Sequence, residues 1–305
     1  MLDVLAIGDA IVDKIISFDE QDEVMQKILP VKGLFFVATH QEHTYLRNKP
    51  HQAYYAGGSA ANTVRNMGLL GSKTGFVGKC GVDEEGQFFQ KSLIDYNVHS
   101  YLIQTDKDRT GCSVVMVHED KDRTQCAHAC AANLLTTDEI KDEYLKETKY
   151  ILTEGYMLNR REDLIVEAIE RACRFGVHVC FTLSDVHCVE NKKKVILDLL
   201  PKINILFGNE YEFEVLNINQ KMLQNTICVK TCGKKGVEIL TKNEKLFFKT
   251  ASARKIINTN GAGDAFAAGF LYEWVKNKDL KAAVLKGQEI AKKVLATDLS
   301  YLPLR

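Results

Sequence analysis

The residues with the clearest chemical potential lie in NTNGAGDAF, at positions 258–266. Gly261, Ala262 and Gly263 carry almost no side chain, and Asp264 follows them directly at the start of an apolar, helix-like run. The first N–H groups of a helix have no partner within it, and glycine lets an anion approach them closely. The stretch therefore predicts an anion site beside a carboxylate, although a tight turn capped by the acid would use the same residue types.

Phosphoryl transfer to an alcohol is the chemistry that this combination would serve. The reaction needs positioning, stabilisation of negative charge and a base that accepts the proton of the attacking hydroxyl. Asp264 would be that base, and residues 261–263 would stabilise the developing charge. The phosphate-loop pattern GxxxxGK[ST] is absent from the chain, so a nucleotide would have to be bound in another way.

Four further stretches place polar residues or glycines where predicted strands end or predicted helices begin. They are GDAIVD (8–13), GGSAAN (57–62), FGNEYE (207–212) and TCGKKG (231–236). Each could be an ordinary cap or turn when considered alone. Their occurrence in one chain with the 258–266 stretch indicates a shared site.

The elements that must position these motifs alternate along the chain. Short apolar runs alternate with amphipathic helical patterns from VLAI (4–7) to two closing helices at 262–276 and 279–296. This alternation is typical of βαβ units around a parallel sheet, in which ligands bind at the carboxyl ends of the strands. There is no internal repeat and no proline- or serine-rich linker, so we predict one α/β domain over residues 1–305.

Two regions interrupt the alternation, at about 14–52 and 99–128. Both contain β-like runs without helical patterns between them, namely KIISF, GLFFVAT, SYLIQT, CSVVMVH and TQCAHA. We predict that the two regions form one small sheet, discontinuous in sequence, that covers the site as a lid. A plain β extension of the core would show the same pattern.

Composition and charge limit the classes of function. The 305 residues include 40 basic and 40 acidic side chains, and zero net charge argues against a bulk nucleic-acid or membrane-surface role. No apolar run approaches the ~20 residues of a membrane span. The acidic N-terminal stretch predicts a strand rather than a signal peptide. Nine cysteines without a spacing framework fit reduced thiols in a cytoplasmic protein.

A metal site at Cys126, His128 and Cys130 is the alternative use of the cysteines. Alternation along a strand would put these three side chains on one face. A tetrahedral site needs a fourth ligand, which the sequence does not supply, so we favour buried, reduced cysteines.

Taken together, the motifs resemble those of the ribokinase (PfkB) family of small-molecule kinases. The likeness covers nearly the whole chain, with the two glycine motifs in the family's order and NEYE between them. Within the family, AGGSAAN, ILFGNE and TNGAGDAF look most like the motifs of adenosine kinases. The resemblance implies a three-layer αβα core with a mostly parallel sheet and a small β-sheet lid.

The resemblance also implies roles around the acceptor. Asp264 matches the family's catalytic base, and residues 261–263 match its anion hole. Asp13, Gly58 and Asn62 match groups that bind sugar hydroxyls.

On the nucleotide side, the resemblance implies that Asn209 and Glu212 organise Mg²⁺ and its waters near the phosphates of ATP. Gln288 stands where the family often places a polar residue beside adenine, and Arg123 resembles an arginine that reaches the transferred phosphate. For these last two residues, a solvated surface position is the alternative interpretation. The residues that match the loop around the nucleotide are Thr231, Gly233 and Gly236.

The predicted function is an ATP- and Mg²⁺-dependent kinase, a monomer or homodimer, that phosphorylates a primary hydroxyl. The favoured acceptor is the 5′-OH of adenosine. For that acceptor we expect Tyr156 or Met157 to contact the base, with Phe35 or Phe36 opposite. The alternatives are a sugar kinase of the ribokinase or fructokinase type, and an inactive nucleoside- or sugar-binding regulator. An intact Asp264 argues against the regulator.

Two departures from the family concern a monovalent cation. Asn258 stands where relatives usually have Asp, and the tail ATDLSYLPLR lacks their small-residue loop with Gly. In many relatives these two regions shape a cation site beside the anion hole. Their change argues against activation by potassium.

Overall fold

The computed structural model describes residues 1–28, 35–36, 39–119, 123–250 and 256–304. The strands in this part of the chain are β1 (Leu2–Ile7), β2 (Ile11–Ser17), β3 (Phe35–Phe36), β4 (Ala53–Ala56), β5 (Thr74–Gly81), β6 (Val98–Thr105), β7 (Gly111–Val117), β8 (Arg123–His128), β9 (Thr148–Glu154), β10 (His178–Thr182), β11 (Ile205–Asn209), β12 (Ile227–Thr231), β13 (Gly236–Leu240) and β14 (Lys245–Lys249). The α-helices are α1 (Glu23–Ile28), α2 (His40–Arg47), α3 (Ser59–Leu69), α4 (Glu84–Asp95), α5 (Asp142–Lys146), α6 (Gly155–Arg160), α7 (Glu162–Arg174), α8 (Val186–Leu199), α9 (Glu210–Leu216), α10 (Ala262–Asn277) and α11 (Leu280–Val294).

Within these residues, nine strands form a large sheet in the order β14–β13–β12–β11–β10–β9–β1–β5–β6. All neighbours from β12 to β6 pair in parallel. At the other edge, β12, β13 and β14 pair antiparallel. The predicted mostly parallel sheet is confirmed, and the antiparallel edge is an addition to it.

Helices cover both faces of the large sheet, as the unbroken apolar run of β1 requires. Val4 and Ala6 face a core cluster that includes side chains of α3, α4, α10 and α11. Leu5 and Ile7 face the opposite cluster, built with side chains of α7, α8 and α9. Because alternate residues of a strand point to opposite faces, both sets must be apolar. The predicted three-layer αβα core is confirmed.

A second, smaller sheet has the order β3–β8–β7–β2–β4. The chain enters it from β1 through residues 8–10 and leaves it from β4 into α3 through residues 57–58. Two of the predicted site motifs, GDAIVD and GGSAAN, span these crossings. The two sheets therefore meet where the candidate site residues lie.

The predicted boundaries of the small sheet need one correction. β6, which contains SYLIQT, belongs to the large sheet and pairs in parallel with β5 along its whole length, from Val98 to Thr105. The reason is that β5, α4 and β6 form one more βαβ unit. The second segment of the small sheet therefore begins after β6, with β7.

The first segment is also more helical than predicted. It contains α1 and α2, and α2 begins with a capping box in which the Thr39 hydroxyl accepts a hydrogen bond from the Glu42 N–H. The Glu42 carboxylate in turn accepts a hydrogen bond from the Thr39 N–H. A threonine followed three residues later by glutamate is a recognised helix-start signal, so this helix was visible in the sequence. None of the helices in the described part of the chain has the length and apolar character needed to cross a membrane.

Candidate active site

Asp264 lies in the first turn of α10, where the start of α3 meets it. The Ser59 hydroxyl donates to Asp264 Oδ1 at 2.6 Å, and Asn62 Nδ2 donates to Oδ2 at 3.1 Å. The Thr63 hydroxyl donates to the backbone carbonyl of Asp264 at 3.3 Å. Two glycine-rich turns that are about 200 residues apart in sequence are thus joined at one carboxylate, in line with the prediction.

The environment of Asp264 favours a proton acceptor that is active near neutral pH. Burial raises the pKa of its carboxyl to about 6, while the hydrogen bonds from Ser59 and Asn62 lower it. A base with a pKa near the working pH is ionised and yet basic enough to accept a proton.

The turn before Asp264 is shaped to leave space for an anion. Gly261 has φ 75°, and a Cβ on it would lie 2.1 Å from the carbonyl oxygen of Ser300. Gly263 is exposed, and a Cβ on it would meet no atom within 4 Å. The helix N-terminus is therefore open at Gly263, and a glycine is required at Gly261.

Asp13, on β2, lies beside the same carboxylate. Burial raises its pKa to about 7, the charge of Arg65 lowers it, and the charge of Asp264 raises it. A Cβ on Gly57 would lie 2.6 Å from Asp13 Oδ1, so the first glycine of the GGSAAN turn provides room for this carboxyl. The structure thus brings Asp13, Asn62 and Asp264 together, with Gly58 (φ 85°) at the adjoining turn.

Arg65 is a site residue that sequence reasoning missed. Its side chain is fully buried, and Nη1 donates to the Gly57 carbonyl at 3.0 Å and to Asn62 Oδ1 at 3.1 Å. Because Asn62 Oδ1 accepts this hydrogen bond from Arg65, the amide nitrogen of Asn62 faces Asp264. The available signal was a single charged residue, the arginine, inside the otherwise uncharged helix GSAANTVRNMGLL, since a buried charge needs a defined partner.

A second missed group lies at the ends of β1 and β9. Glu154 is 1% exposed, and its Oε2 accepts a hydrogen bond from the Ala60 N–H at 2.7 Å. Asp9 is 2% exposed and forms an ion pair with Arg160, while its Oδ1 has no hydrogen-bond partner among the described residues. Burial and the charge of Asp9 raise the pKa of Glu154 to about 8. Parallel strands place these acids at one sheet edge, next to the acceptor side of Asp264.

The two residues predicted to contact a purine differ in position. Met157 is fully buried in the core cluster between the sheet and α7, so the structure contradicts its predicted contact. Tyr156 is half-buried. Burial raises the pKa of its hydroxyl, and so do the charges of the nearby Asp185, Cys188, Asp264 and Glu154. The side chains of Phe35 and Phe36 lie outside what the structure describes.

The predicted nucleotide residues lie further along the same sheet edge. Asn209 ends β11, and the Thr231 hydroxyl at the end of β12 donates to the Gly208 carbonyl at 3.3 Å. Gly233 (φ 53°) and Gly236 (φ 142°) form the following turn. Gln288, on α11, donates through Nε2 to the Thr250 hydroxyl at 2.8 Å, just beyond β14. These residues border the strand ends beside α10.

Asn209 and Glu212 form a capping box at the start of α9. Asn209 Oδ1 accepts from the Glu212 N–H at 3.0 Å, and Glu212 Oε2 accepts from the Asn209 N–H at 2.8 Å. Burial raises the pKa of Glu212 to about 7, the hydrogen bond from the Asn209 backbone lowers it, and the charge of Asp185 raises it.

Two nearby carboxyls, Glu212 and Asp185, are a donor set that suits Mg²⁺ with several of its waters retained. The described residues contain no group of three or more His, Cys, Asp or Glu side chains that could hold a metal ion directly. An ion held through water stays a prediction.

Arg123 begins β8 and reaches across to the turn before α10. Its Nη1 donates to Asn258 Oδ1 at 3.0 Å. A small polar cavity lies between the small sheet and this turn. Its lining includes Asp13, Tyr55, Arg123, Asn258, Asn260 and Ser300.

The cysteines considered for a metal site are separated by the end of β8. Cys126 is buried in the core, whereas Cys130 lies beyond the strand in a 3₁₀ turn, with its sulfur 3.2 Å from His128 Nδ1. The expected common face of one strand is therefore not formed.

A buried carboxylate at an open helix N-terminus, at the strand ends of a doubly covered parallel sheet, is an arrangement that suits the transfer of phosphate to a hydroxyl. The family model for "pfkB family carbohydrate kinase" matches residues 29–304. The chain belongs to the pfkB family of carbohydrate kinases, whose members phosphorylate a hydroxyl of a sugar or nucleoside.

Individual relatives point to two kinds of acceptor. A 5-dehydro-2-deoxygluconokinase of Listeria innocua is 28% identical over 273 residues, which are 79% of this chain and 81% of the relative. The crystal structure of adenosine kinase from Sinorhizobium meliloti has a TM-score of 0.88 and 27% identity, covering 100% of this chain and 96% of that one. A probable sugar kinase from Rhizobium etli has a TM-score of 0.87 and 26% identity, covering 99% of this chain and 96% of that one.

Proposed function

We propose that the chain is an ATP- and Mg²⁺-dependent kinase in which Asp264 accepts the proton of an acceptor hydroxyl. The observation that carries the proposal is the position of this carboxylate, held by Ser59 and Asn62 at the open N-terminus of α10. A hydroxyl bound between Asp13 and Asp264 would lie next to both the base and the N–H groups that stabilise the transferred phosphoryl charge.

Each group contributes a separable part of the chemistry. Asp264 accepts the proton as the acceptor oxygen attacks, and the N–H groups of Gly261 and Gly263 stabilise charge that develops on the phosphoryl oxygens, whereas the Ala262 N–H donates to the Thr259 carbonyl. Asp13 accepts hydrogen bonds from neighbouring hydroxyls of the acceptor and so orients it. Mg²⁺ held near Glu212 through water would neutralise the charge of the phosphates. The turn at residues 231–236 would lie beside the nucleotide.

Adenosine is the acceptor we propose first. It is supported by the whole-chain likeness to the S. meliloti adenosine kinase and by the ring of Tyr156 beside Asp264. A half-buried tyrosine offers a flat apolar face to a purine at low entropic cost.

A sugar-acid acceptor is the second candidate. It is supported by the relatives named 5-dehydro-2-deoxygluconokinase and by the buried polar group of Asp9, Glu154 and Arg160. Arg160 is the cation of this group and could pair with the carboxylate of a sugar acid, whereas Asp9 Oδ1 could accept from the hydroxyls of either candidate.

An acceptor panel with two variants of Tyr156 separates these candidates. We expect the wild-type protein to release ADP with adenosine faster than with ribose or 5-dehydro-2-deoxygluconate. Tyr156→Ala should raise the KM for adenosine by about 10-fold or more, since stacking and apolar contact on one ring face are lost, whereas Tyr156→Phe keeps the ring and should keep the KM. Phosphorylation of the sugar acid with none of adenosine would replace the first candidate with the second.

A further inference from the structure

We propose that Arg123 is a positioning residue, which holds the anion-binding turn through Asn258 and makes a bound monovalent cation unnecessary there. The proposal rests on the proposed kinase function, because it concerns the same turn at the start of α10. Arg123 belongs to the small sheet, so a residue outside the core would affect the geometry of the site in the core.

Asn258 uses both ends of its amide in opposite directions. Nδ2 donates to the Asp298 carbonyl at 3.1 Å, while Oδ1 accepts from Arg123 Nη1 and from the Asn260 N–H, each at 3.0 Å. The residue is only 5% exposed, so these contacts are made with little competition from water.

An aspartate at this position would lack the donor. One of its oxygens would face the Asp298 carbonyl at hydrogen-bond distance, and two acceptors in contact are unfavourable unless a cation, a proton or another donor lies between them. With asparagine, the amide N–H₂ satisfies the carbonyl and the guanidinium satisfies the amide oxygen. The protein itself thus supplies both donors, and no cation from solution is needed at this position.

The contact is transmitted to the anion-binding turn over a short distance. The Ala262 N–H donates to the Thr259 carbonyl at 3.3 Å, and Gly261 is pressed so closely against Ser300 that a Cβ would not fit. Residues 258–261 are therefore held between the tail and β8, and a shift of Asn258 would move the N–H groups that follow it. Misplacement of catalytic groups by as little as ~1 Å costs up to ~10²-fold in rate.

The partner of the guanidinium is a neutral amide, so this contact does not cancel the charge of Arg123. The acids that face the same cavity are Asp13 and Asp298. A cation between them and the turn favours negative charge in the cleft, which the transferred phosphoryl group brings. The position of the small sheet, which carries Arg123, therefore affects the geometry of the anion-binding turn.

The test is steady-state kinetics of the full chain with whichever acceptor the wild-type protein phosphorylates. We expect Arg123→Ala to lower kcat by about 10-fold or more while the KM values for ATP and acceptor change by less than about threefold. The kcat of Arg123→Lys should lie between those of the wild-type protein and Arg123→Ala. Millimolar guanidinium chloride should restore part of the kcat of Arg123→Ala. Arg109→Ala is the matched control, since that side chain is 55% exposed and its ion pair with Glu85 is long, at 3.7 Å. We expect it to match the wild-type protein.

A second variant and a salt comparison keep the proposal falsifiable if Arg123→Ala does not fold. Asn258→Ala removes the same contact from the other side and should lower kcat similarly, and the double variant should lose no more than the worse single one. Wild-type rates in potassium chloride and tetramethylammonium chloride of equal ionic strength should agree. Wild-type kcat in folded Arg123 and Asn258 variants, or strong potassium activation of the wild-type protein, would overturn the inference. Absence of wild-type activity on every acceptor would instead contradict the proposed function.

Discussion

The pKa of Asp264 is set by a balance between burial and two hydrogen-bond donors. Burial raises the pKa to about 6, and the Ser59 hydroxyl is the larger of the two lowering contributions. The carboxyl is protonated and unable to act as a base at pH below this value, so activity should rise with pH through about 6.

Ser59→Ala tests this balance directly. Loss of the hydroxyl removes a donor that stabilises the ionised carboxylate, so the pKa of Asp264 should rise further. The acid limb of the pH profile of kcat/KM should move to higher pH, with the plateau rate at pH 9 less affected than the rate at pH 6. Thr63→Ser keeps a hydroxyl near the backbone carbonyl of Asp264 and serves as the control. An acid limb at the wild-type position in Ser59→Ala would show that another group limits the rate at low pH.

The glycine-rich motifs in the sequence pointed to Asp13, Asn62 and Asp264, and the structure brings these three residues together. Their roles came from the family resemblance and stay predictions. Arg65 and Glu154 could not be predicted in this way. Their importance comes from partners far away in sequence, Gly57 and Asn62 for the arginine and Ala60 for the glutamate. A single sequence shows that a charge sits in an apolar run but not which groups it meets.

At the scale of elements, the start of α10 makes two different demands on glycine. Gly261 must adopt φ 75° against the Ser300 carbonyl, whereas Gly263 has open space in front of it. The first requirement concerns folding of the turn, and the second concerns access of an anion to the helix N-terminus.

A pair of alanine variants separates these demands. Gly261→Ala should lower the thermal unfolding midpoint by several degrees, because both the backbone conformation and the Cβ contact are unfavourable. Gly263→Ala should leave the midpoint near that of the wild-type protein, because its Cβ meets no atom. It should nevertheless reduce kcat, because a methyl group occupies the approach of the phosphoryl oxygens. Equal effects of the two variants on unfolding, or full activity of Gly263→Ala, would contradict this division.

Most core elements were predictable because periodicity and turn residues agree. α7, for example, repeats buried positions at the helical period and ends at Arg174, two residues before Gly176 (φ 72°). The errors fall where local pattern and tertiary context differ. β6 carries a mixed polar sequence because it is an edge strand, and it therefore resembled the small sheet rather than the core. Short polar helices such as α2 depend on caps more than on periodicity.

At the scale of the whole molecule, the two sheets are joined by a crossing that leads into β2, which carries Asp13, and by a crossing that contains Gly58. The fold and the family are established by the architecture and by the match over residues 29–304. We expect the identity of the acceptor to depend on buried and half-buried side chains such as Asp9, Glu154 and Tyr156. Family membership is compatible with either acceptor, so the acceptor has to be identified by assay.

The most direct test of the account is ADP release by the wild-type protein and by Asp264→Asn, with ATP, Mg²⁺ and adenosine or the preferred acceptor of the panel. Asparagine keeps the shape of the side chain and cannot accept the proton. We predict acceptor-dependent ADP release by the wild-type protein and a kcat at least ~10²-fold lower in the variant, with acceptor binding by calorimetry retained. Equal turnover of the two proteins, or ADP release that does not depend on any acceptor, would contradict the assignment of Asp264 as the base of a small-molecule kinase.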